Sequence, residues 1–67
     1  MVRRYTLRRP IVGFCRHERR VITIPAGTVI TVMFRSGAGI ASTEFEGQAI
    51  LVPAEDIERN AVCAEVQ

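Results

Sequence analysis

The stretch VITIPAGTVITVMFR, residues 21–35, decides the fold class of this chain. It holds two runs of β-branched and apolar residues, and Pro25-Ala26-Gly27 turns the chain between them. The first run, residues 21–24, is a strand with Ile22 and Ile24 on one face. The second run, residues 28–35, alternates with a period of two, which is typical of a strand with one buried face. This alternation predicts Ile30, Val32 and Phe34 inward, with Val29, Thr31 and Met33 on the opposite side.

Three further strands are predicted on either side of this stretch. In residues 4–8, Tyr5 and Leu7 alternate with polar side chains, and Pro10 ends the strand. Residues 48–52 are apolar on both faces, so the pattern does not decide which side faces inward. Residues 40–46 alternate clearly. In that strand we expect Ala41, Thr43 and Phe45 to face inward and Ser42, Glu44 and Glu46 to face outward.

The connections are predicted from glycine, proline and charge. Residues 11–19 form a charged connection that contains Gly13 and Phe14 and is too polar for a core element. Ser36-Gly37-Ala38-Gly39 and Glu46-Gly47 are predicted as turns between strands. Residues 53–59 are predicted as a single 3₁₀ or helical turn with Ile57 as its apolar anchor. The tail, residues 61–67, adds a short strand or frays.

No two predicted strands are joined by a helix-length crossover, which favours an antiparallel meander. Five short strands in a single 67-residue domain, residues 1–67, must curl to protect their edges. We therefore predict an all-β fold, a small five-stranded antiparallel barrel. Its predicted core consists of Leu7, Ile22, Ile24, Ile30, Val32 and Phe45.

Composition places the chain among folded globular domains, since 48% of its residues are hydrophobic. No apolar run reaches the roughly 18 residues needed to cross a bilayer, and no apolar signal segment follows the basic N-terminus. These features predict a cytoplasmic protein with no membrane partner. A domain of this size buries only about 60% of its unfolded surface, so its core is marginal and self-association into a homo-oligomer is expected.

Charge is distributed unevenly along the chain. Residues 1–34 carry a formal charge of +6 and residues 35–67 a formal charge of −4, for a net +2. Such asymmetry suits either an external polyanion on the basic half or a second copy docking head to tail. The residues proposed for nucleic-acid or other anion binding are Arg4, Arg8, Arg16, Arg19 and Arg20. Charge runs are also found on plain solvated surfaces.

No catalytic or metal-binding pattern is found, and no cofactor is expected. Cys15, His17 and Cys63 supply three potential soft ligands, whereas a structural zinc site needs four. His17 lies in a charged segment with no nucleophile spaced beside it, so a solvated side chain is favoured over a general base. The same-face pair Glu44 and Glu46 lies before a surface turn, which favours an exposed face over paired acid–base carboxylates. The sequence predicts a protein that is not an enzyme.

The order of these elements resembles the SH3-like barrels, in particular small bacterial proteins built on that plan. The resemblance covers residues 4–59 and includes I-x-I-P-A-G-T-x-I-x-V at residues 22–32, F-E-G at 45–47 and P-x-E-D-I-E at 53–58. It implies an SH3-like barrel. SH3 domains that bind proline-rich peptides use an aromatic groove. This chain has no Trp, and its four aromatics are scattered, so polyproline recognition is not expected.

A second resemblance, to the type II dihydrofolate reductases, is confined to the C-terminal part. That family ends its barrel with G-x-V-Q-I-Y-P-x-x-x-L-E-R, and residues 47–59 match it at Gly47, Pro53, Glu58 and Arg59. Where the family has its pore-lining Gln and Tyr, this chain has Ile50 and Val52. The likeness implies a related fold and a ligand-binding oligomer at most, without the reductase activity.

The favoured function is that of a small binding and assembly module that associates with itself. In this hypothesis the basic front of one copy meets an acidic surface of another, and a strand face with Val29, Met33 or Leu51 forms the apolar centre. The acidic surface consists of Glu44, Glu46, Glu55, Asp56 and Glu58. The alternative is a nucleic-acid-binding protein that uses the N-terminal arginines. The chain lacks the stacking aromatics found on OB-fold and RNA-recognition surfaces. The second alternative is the ligand-binding oligomer. The predicted interface residues are Val29, Met33, Leu51, Glu44 and Glu46.

Overall fold

A computed structural model describes residues 2–66 of the chain. It has seven strands and one short helix, in the order β1 (Arg3–Leu7), β2 (Ile11–Cys15), β3 (Arg20–Ile24), β4 (Val29–Arg35), β5 (Ile40–Phe45), β6 (Gln48–Pro53), α1 (Ala54–Asn60) and β7 (Ala61–Val66). All strand pairs are antiparallel and lie in one sheet, ordered β3-β2-β6-β5-β4-β1-β7. The all-β antiparallel prediction is confirmed. The five-stranded closed barrel is wrong, because the sheet has seven strands and is open between β3 and β7.

The prediction of a polar connection over residues 11–19 was the main cause of that error. Residues 11–15 form β2, in which Ile11, Gly13 and Cys15 are buried and Val12 and Phe14 are exposed. Gly13 marks a close approach and not a loop. A Cβ built there would lie 2.5 Å from Ile50 Cγ2 and 2.8 Å from Val52 Cγ1, so the absence of a side chain leaves room for these two core residues of the neighbouring strand β6.

The core lies on the inner face of the curved sheet, closed at one end by α1. Of the predicted core residues, Leu7, Ile24, Ile30 and Val32 are buried, whereas Ile22 and Phe45 are half-buried and pack against the core. The sequence pattern did not decide which face of β6 points inward. In the structure this is the face of Ile50 and Val52, both of which are fully buried. Thr43 is the buried polar residue of the inner face, and its hydroxyl donates to the Ile50 carbonyl at 2.9 Å.

Phe34 was predicted inward and is instead 63% exposed. The β4–β5 register shifts between Val32 and Phe34, where a β-bulge places an extra residue on β4. Phe34 then lies opposite Ser42, and Arg35 lies opposite the buried Ala41. The bulge thus exchanges the two faces of the strand, bringing Arg35 to the inner side in place of Phe34.

The predicted turns are confirmed. Glu46 and Gly47 both have positive φ, 53° and 76°, as the tight hairpin turn between β5 and β6 requires. The helical segment is a full α-helix with the fully buried Ile57 as its anchor and with an ion pair between Arg59 and Glu55. In the tail, residues 61–66 form β7. No helix among residues 2–66 is both long and apolar enough to span a bilayer.

Candidate functional site: the outer apolar face and the open end of the core

One continuous apolar surface lies on the outside of the sheet, across β3, β2, β6 and the start of β5. Phe14 is at its centre, directly opposite Val21 on β3 and Leu51 on β6. The surface forms a groove of about 380 Å³. We call the side chains on this groove the outer apolar face: Val12, Phe14, Val21, Ile40, Leu51 and Pro53.

The outer apolar face is largely exposed although its side chains are apolar: Val21 retains 65% and Val12 52% of its full accessible area. The strand β3 on its border pairs only with β2 among the described residues, so its other edge is open. An apolar strand face that continues to an open strand edge is a ready surface for association. Of the six residues of this face, only Leu51 is among the interface residues predicted from the sequence. Val12 and Phe14 were not identified because they lie in the segment predicted as a connection.

The two ends of the outer apolar face carry opposite charge. The β2–β3 turn, residues 16–19, follows the Phe14 end and contains Arg16, Glu18 and Arg19, with Arg20 at the start of β3; three arginines against one carboxylate leave this end with a net positive charge. At the other end, α1 follows Pro53 with Glu55 and Asp56 in its first turn. The antiparallel β2–β6 register, with Phe14 opposite Leu51, sets these charged segments at opposite ends.

The predicted interface residues are divided by the structure. Leu51 belongs to the outer apolar face, and it is half-buried. Val29 and Met33 are exposed on β4, outside the groove. Glu44 is exposed on β5 opposite Thr31 and Ala49, and Glu46 lies in the β5–β6 turn.

The arginines predicted to bind anions fall into two groups. Arg4 lies on β1 opposite Thr31, and Arg8 follows β1, where it lines a concavity with Arg9, Arg59 and Asn60. Arg16, Arg19 and Arg20 lie at the β2–β3 hairpin turn. Seven residues, among them all of β2, lie between Arg8 and Arg16 in the chain. The two arginines line different concavities, Arg8 with Arg59 and Arg16 with Gln48.

A hydrogen-bonded network fixes part of the second group. Arg20 Nε donates to one oxygen of Glu18, and Gln48 Nε2 donates to the other at 3.0 Å. These contacts, the Gln48 bond first and then Arg20, lower the pKa of Glu18 below its ordinary value. The Cys15 thiol donates to Gln48 Oε1 at 3.1 Å, so the network links the hairpin turn to β6.

Cys15 and Cys63 are both thiols, the first buried on β2 and the second exposed on β7. Within the described part of the chain, no group of three or more His, Cys, Asp and Glu side chains is arranged to hold a metal ion. His17 is exposed in the β2–β3 turn beside Gln48. Ile50 and Val52 are buried in the core.

A second concavity of about 320 Å³ lies at the open end of the core, between β1 and β4. Its lining includes Arg3 and Arg35, neither of which was singled out from the sequence. They are 32 positions apart, and only the β1–β4 register brings them together.

Comparison with protein-family models, curated proteins and solved structures found no match to this chain.

Proposed function

We propose that this chain is a non-enzymatic binding and assembly module that associates with a second copy of itself through the outer apolar face. The observation that carries the proposal is the apolar groove centred on Phe14 and continuous with the open edge of β3. The β4–β5–β6 meander, the helical segment after β6 and the pairing of β7 with β1 support an SH3-like plan for the domain.

Charge complementarity favours a second copy over an unrelated partner. In a twofold dimer the same surface of both copies meets itself in the reverse direction. The basic β2–β3 turn of one copy would then lie over the acidic first turn of α1 in the other. In this antiparallel arrangement each basic end meets an acidic end of the other copy. In a parallel arrangement like charges would face each other, which is unfavourable.

The accessible surface is large enough for such a contact. A stable interface buries about 800 Å² on each partner, a little under a fifth of the 4466 Å² of this chain. The groove supplies the apolar centre, and the two charged ends supply the rim. A domain with so small a core of its own gains stability from this burial.

The experiment is light scattering coupled to size exclusion at micromolar concentration. The wild-type chain is expected to elute as a dimer. The double variant Phe14→Thr with Val21→Thr keeps β-branched residues in the strands, and it should elute as a monomer with little change in melting temperature.

Val29→Thr is the matched control, because Val29 is similarly exposed on β4 but lies outside the groove. It should remain a dimer. A wild-type monomer at low and at high salt would exclude self-association. A dimer that survives the double variant but is lost in Val29→Thr would move the interface to β4.

A further inference from the structure

The concavity at the open end of the core is a second site with a different chemistry. It is lined by Arg3, Tyr5, Val32, Met33, Phe34 and Arg35. In the β1–β4 register Arg3 lies opposite Val32 and Tyr5 opposite Ile30, so both belong to the inner face. Arg3 is the last residue of that row, at the point where the core opens to solvent.

Arg35 is held in place inside this concavity. Its Nη2 donates to the hydroxyl of Tyr5 at 3.3 Å, and its Nη1 donates to Glu58 Oε1 at 3.2 Å. Tyr5 is only 8% exposed, so it anchors the guanidinium firmly. A guanidinium has five N–H donors, and these two contacts leave donors for a ligand.

Counted over residues 2–63, whose side chains the structure describes, the balance of charge at the site is one positive unit. Arg3 and Arg35 supply two positive charges, and Glu58 neutralises one of them. The ion pairs within these residues do not include Arg3. A single net charge matches a phosphodiester, which carries one negative charge, better than a nucleoside di- or triphosphate.

The bulge in β4 adds an aromatic surface to the rim. Phe34 is 63% exposed, and Met33 beside it is 49% exposed. An exposed aromatic ring next to cationic side chains is the combination on which the bases of single strands stack. The volume of about 320 Å³ is at the lower end of the range for ligand sites, about 300–1,000 Å³. This is the size of site that suits one nucleotide unit.

We propose that this concavity binds a nucleotide unit, with the phosphate on Arg3 and Arg35 and the base against Phe34. The source that fits the charge is a single-stranded nucleic acid; a free nucleoside monophosphate presents the same groups. The concavity and the outer apolar face share no lining residue. This site goes beyond the proposed assembly function and can operate in a monomer or a dimer.

The test is fluorescence anisotropy of the full chain with a labelled single-stranded oligothymidylate at low salt. Phe34→Ala should weaken binding by at least about fivefold, the loss of one stacked base. Arg3→Gln should weaken binding and reduce the slope of log K against log salt by about 0.7, the contribution of one phosphate contact on a single strand. Arg9→Gln removes the same charge outside the concavity and should leave the slope unchanged.

Competition with unlabelled thymidine monophosphate identifies the source of the ligand. If only the oligonucleotide competes, the site takes a strand; equal competition per nucleotide assigns it to free nucleotides. No binding at low salt would overturn the proposal. So would equal losses in Arg3→Gln and Arg9→Gln, or a duplex of the same sequence that binds as tightly. The monomeric Phe14→Thr, Val21→Thr variant should still bind, which separates this site from self-association.

Discussion

The inner and outer faces of the sheet are made of the same kinds of residue but differ completely in exposure. Ile24, Ile30 and Ile50 on the inner face are fully buried, whereas Val12 and Val21 on the outer face are more than half exposed. β-Branched side chains suit either face of a strand, so amino-acid type alone does not distinguish them. The difference indicates that apolar residues on one face stabilise the monomer and those on the other are available to a partner.

The largest effect is expected at the centre of the inner face. Ile30→Ala removes a fully buried side chain and should cost about 2 to 5 kcal/mol of unfolding free energy, enough to unfold so small a domain. Urea denaturation followed by circular dichroism measures this loss. Thr31→Ala, at the half-buried neighbouring position, should melt close to the wild type. The reverse result would mean that the faces of β4 are wrongly assigned.

The same substitution on the two faces sharpens the comparison. Val32→Thr places a hydroxyl on the inner face, where Val32 is 6% exposed, and should cost about 1 to 3 kcal/mol. Val12→Thr on the outer apolar face should change the stability of the monomer by no more than about 0.5 kcal/mol. Thermal melts at a concentration low enough to keep the chain monomeric measure both. Equal losses would show that the outer face is packed within the monomer.

Gly13 lies on the buried face of β2, next to Ile50 and Val52 of the neighbouring strand β6. Gly13→Ala puts a methyl group 2.5 Å from Ile50 Cγ2 and should destabilise the domain by about 1 to 3 kcal/mol through overpacking. Gly37→Ala is the control, since nothing lies within 4 Å of a Cβ at that position. Its melting temperature should not fall. A Gly13→Ala variant as stable as the wild type would contradict the close packing of β2 on β6.

The smallest effect concerns the hydrogen-bonded network beside the outer face. The lowered pKa of Glu18 means that its ionised form is stabilised in the folded chain, through Gln48 and then Arg20. This stabilisation is present above the ordinary carboxyl pKa of 4.5 and is lost as the pH falls through the lower folded value. Glu18→Gln should therefore flatten the acid side of the stability–pH profile. An unchanged profile between Glu18→Gln and wild type would show that the network contributes nothing.

Five strands were predicted from the sequence, including the doubly apolar β6, whereas β2 was missed. In residues 29–32 the period of two was sufficient to identify inward Ile30 and Val32. In β2 the inward residues are Ile11, Gly13 and Cys15, and the outward residues include Val12 and Phe14. With apolar residues on both sides and a glycine in the middle, no alternation marks that strand. Its pairing partner β6 is distant in sequence, so only tertiary packing identifies it.

The candidate sites were less predictable than the fold. The register shift in β4 exchanges Phe34 and Arg35 between faces, and nothing in the local pattern marks a bulge there. Arg3 was overlooked within a run of arginines, and Arg35 was counted only toward the net charge of the acidic half. The predicted anion-binding arginines lie in two groups, one at β1 and one at the β2–β3 turn, and the sequence did not indicate this division because residues 11–19 were predicted as a single connection.

The two thiols allow the local opening of the sheet around β2 to be measured as a chemical reaction rate. Cys15 is fully buried and bonded to Gln48, whereas Cys63 is exposed. A thiol reagent in excess modifies Cys63 directly, but reaches the buried Cys15 only when the structure around β2 opens locally. The ratio of the two modification rates therefore reports the equilibrium constant of that local opening in the native protein, without denaturant and without any introduced label.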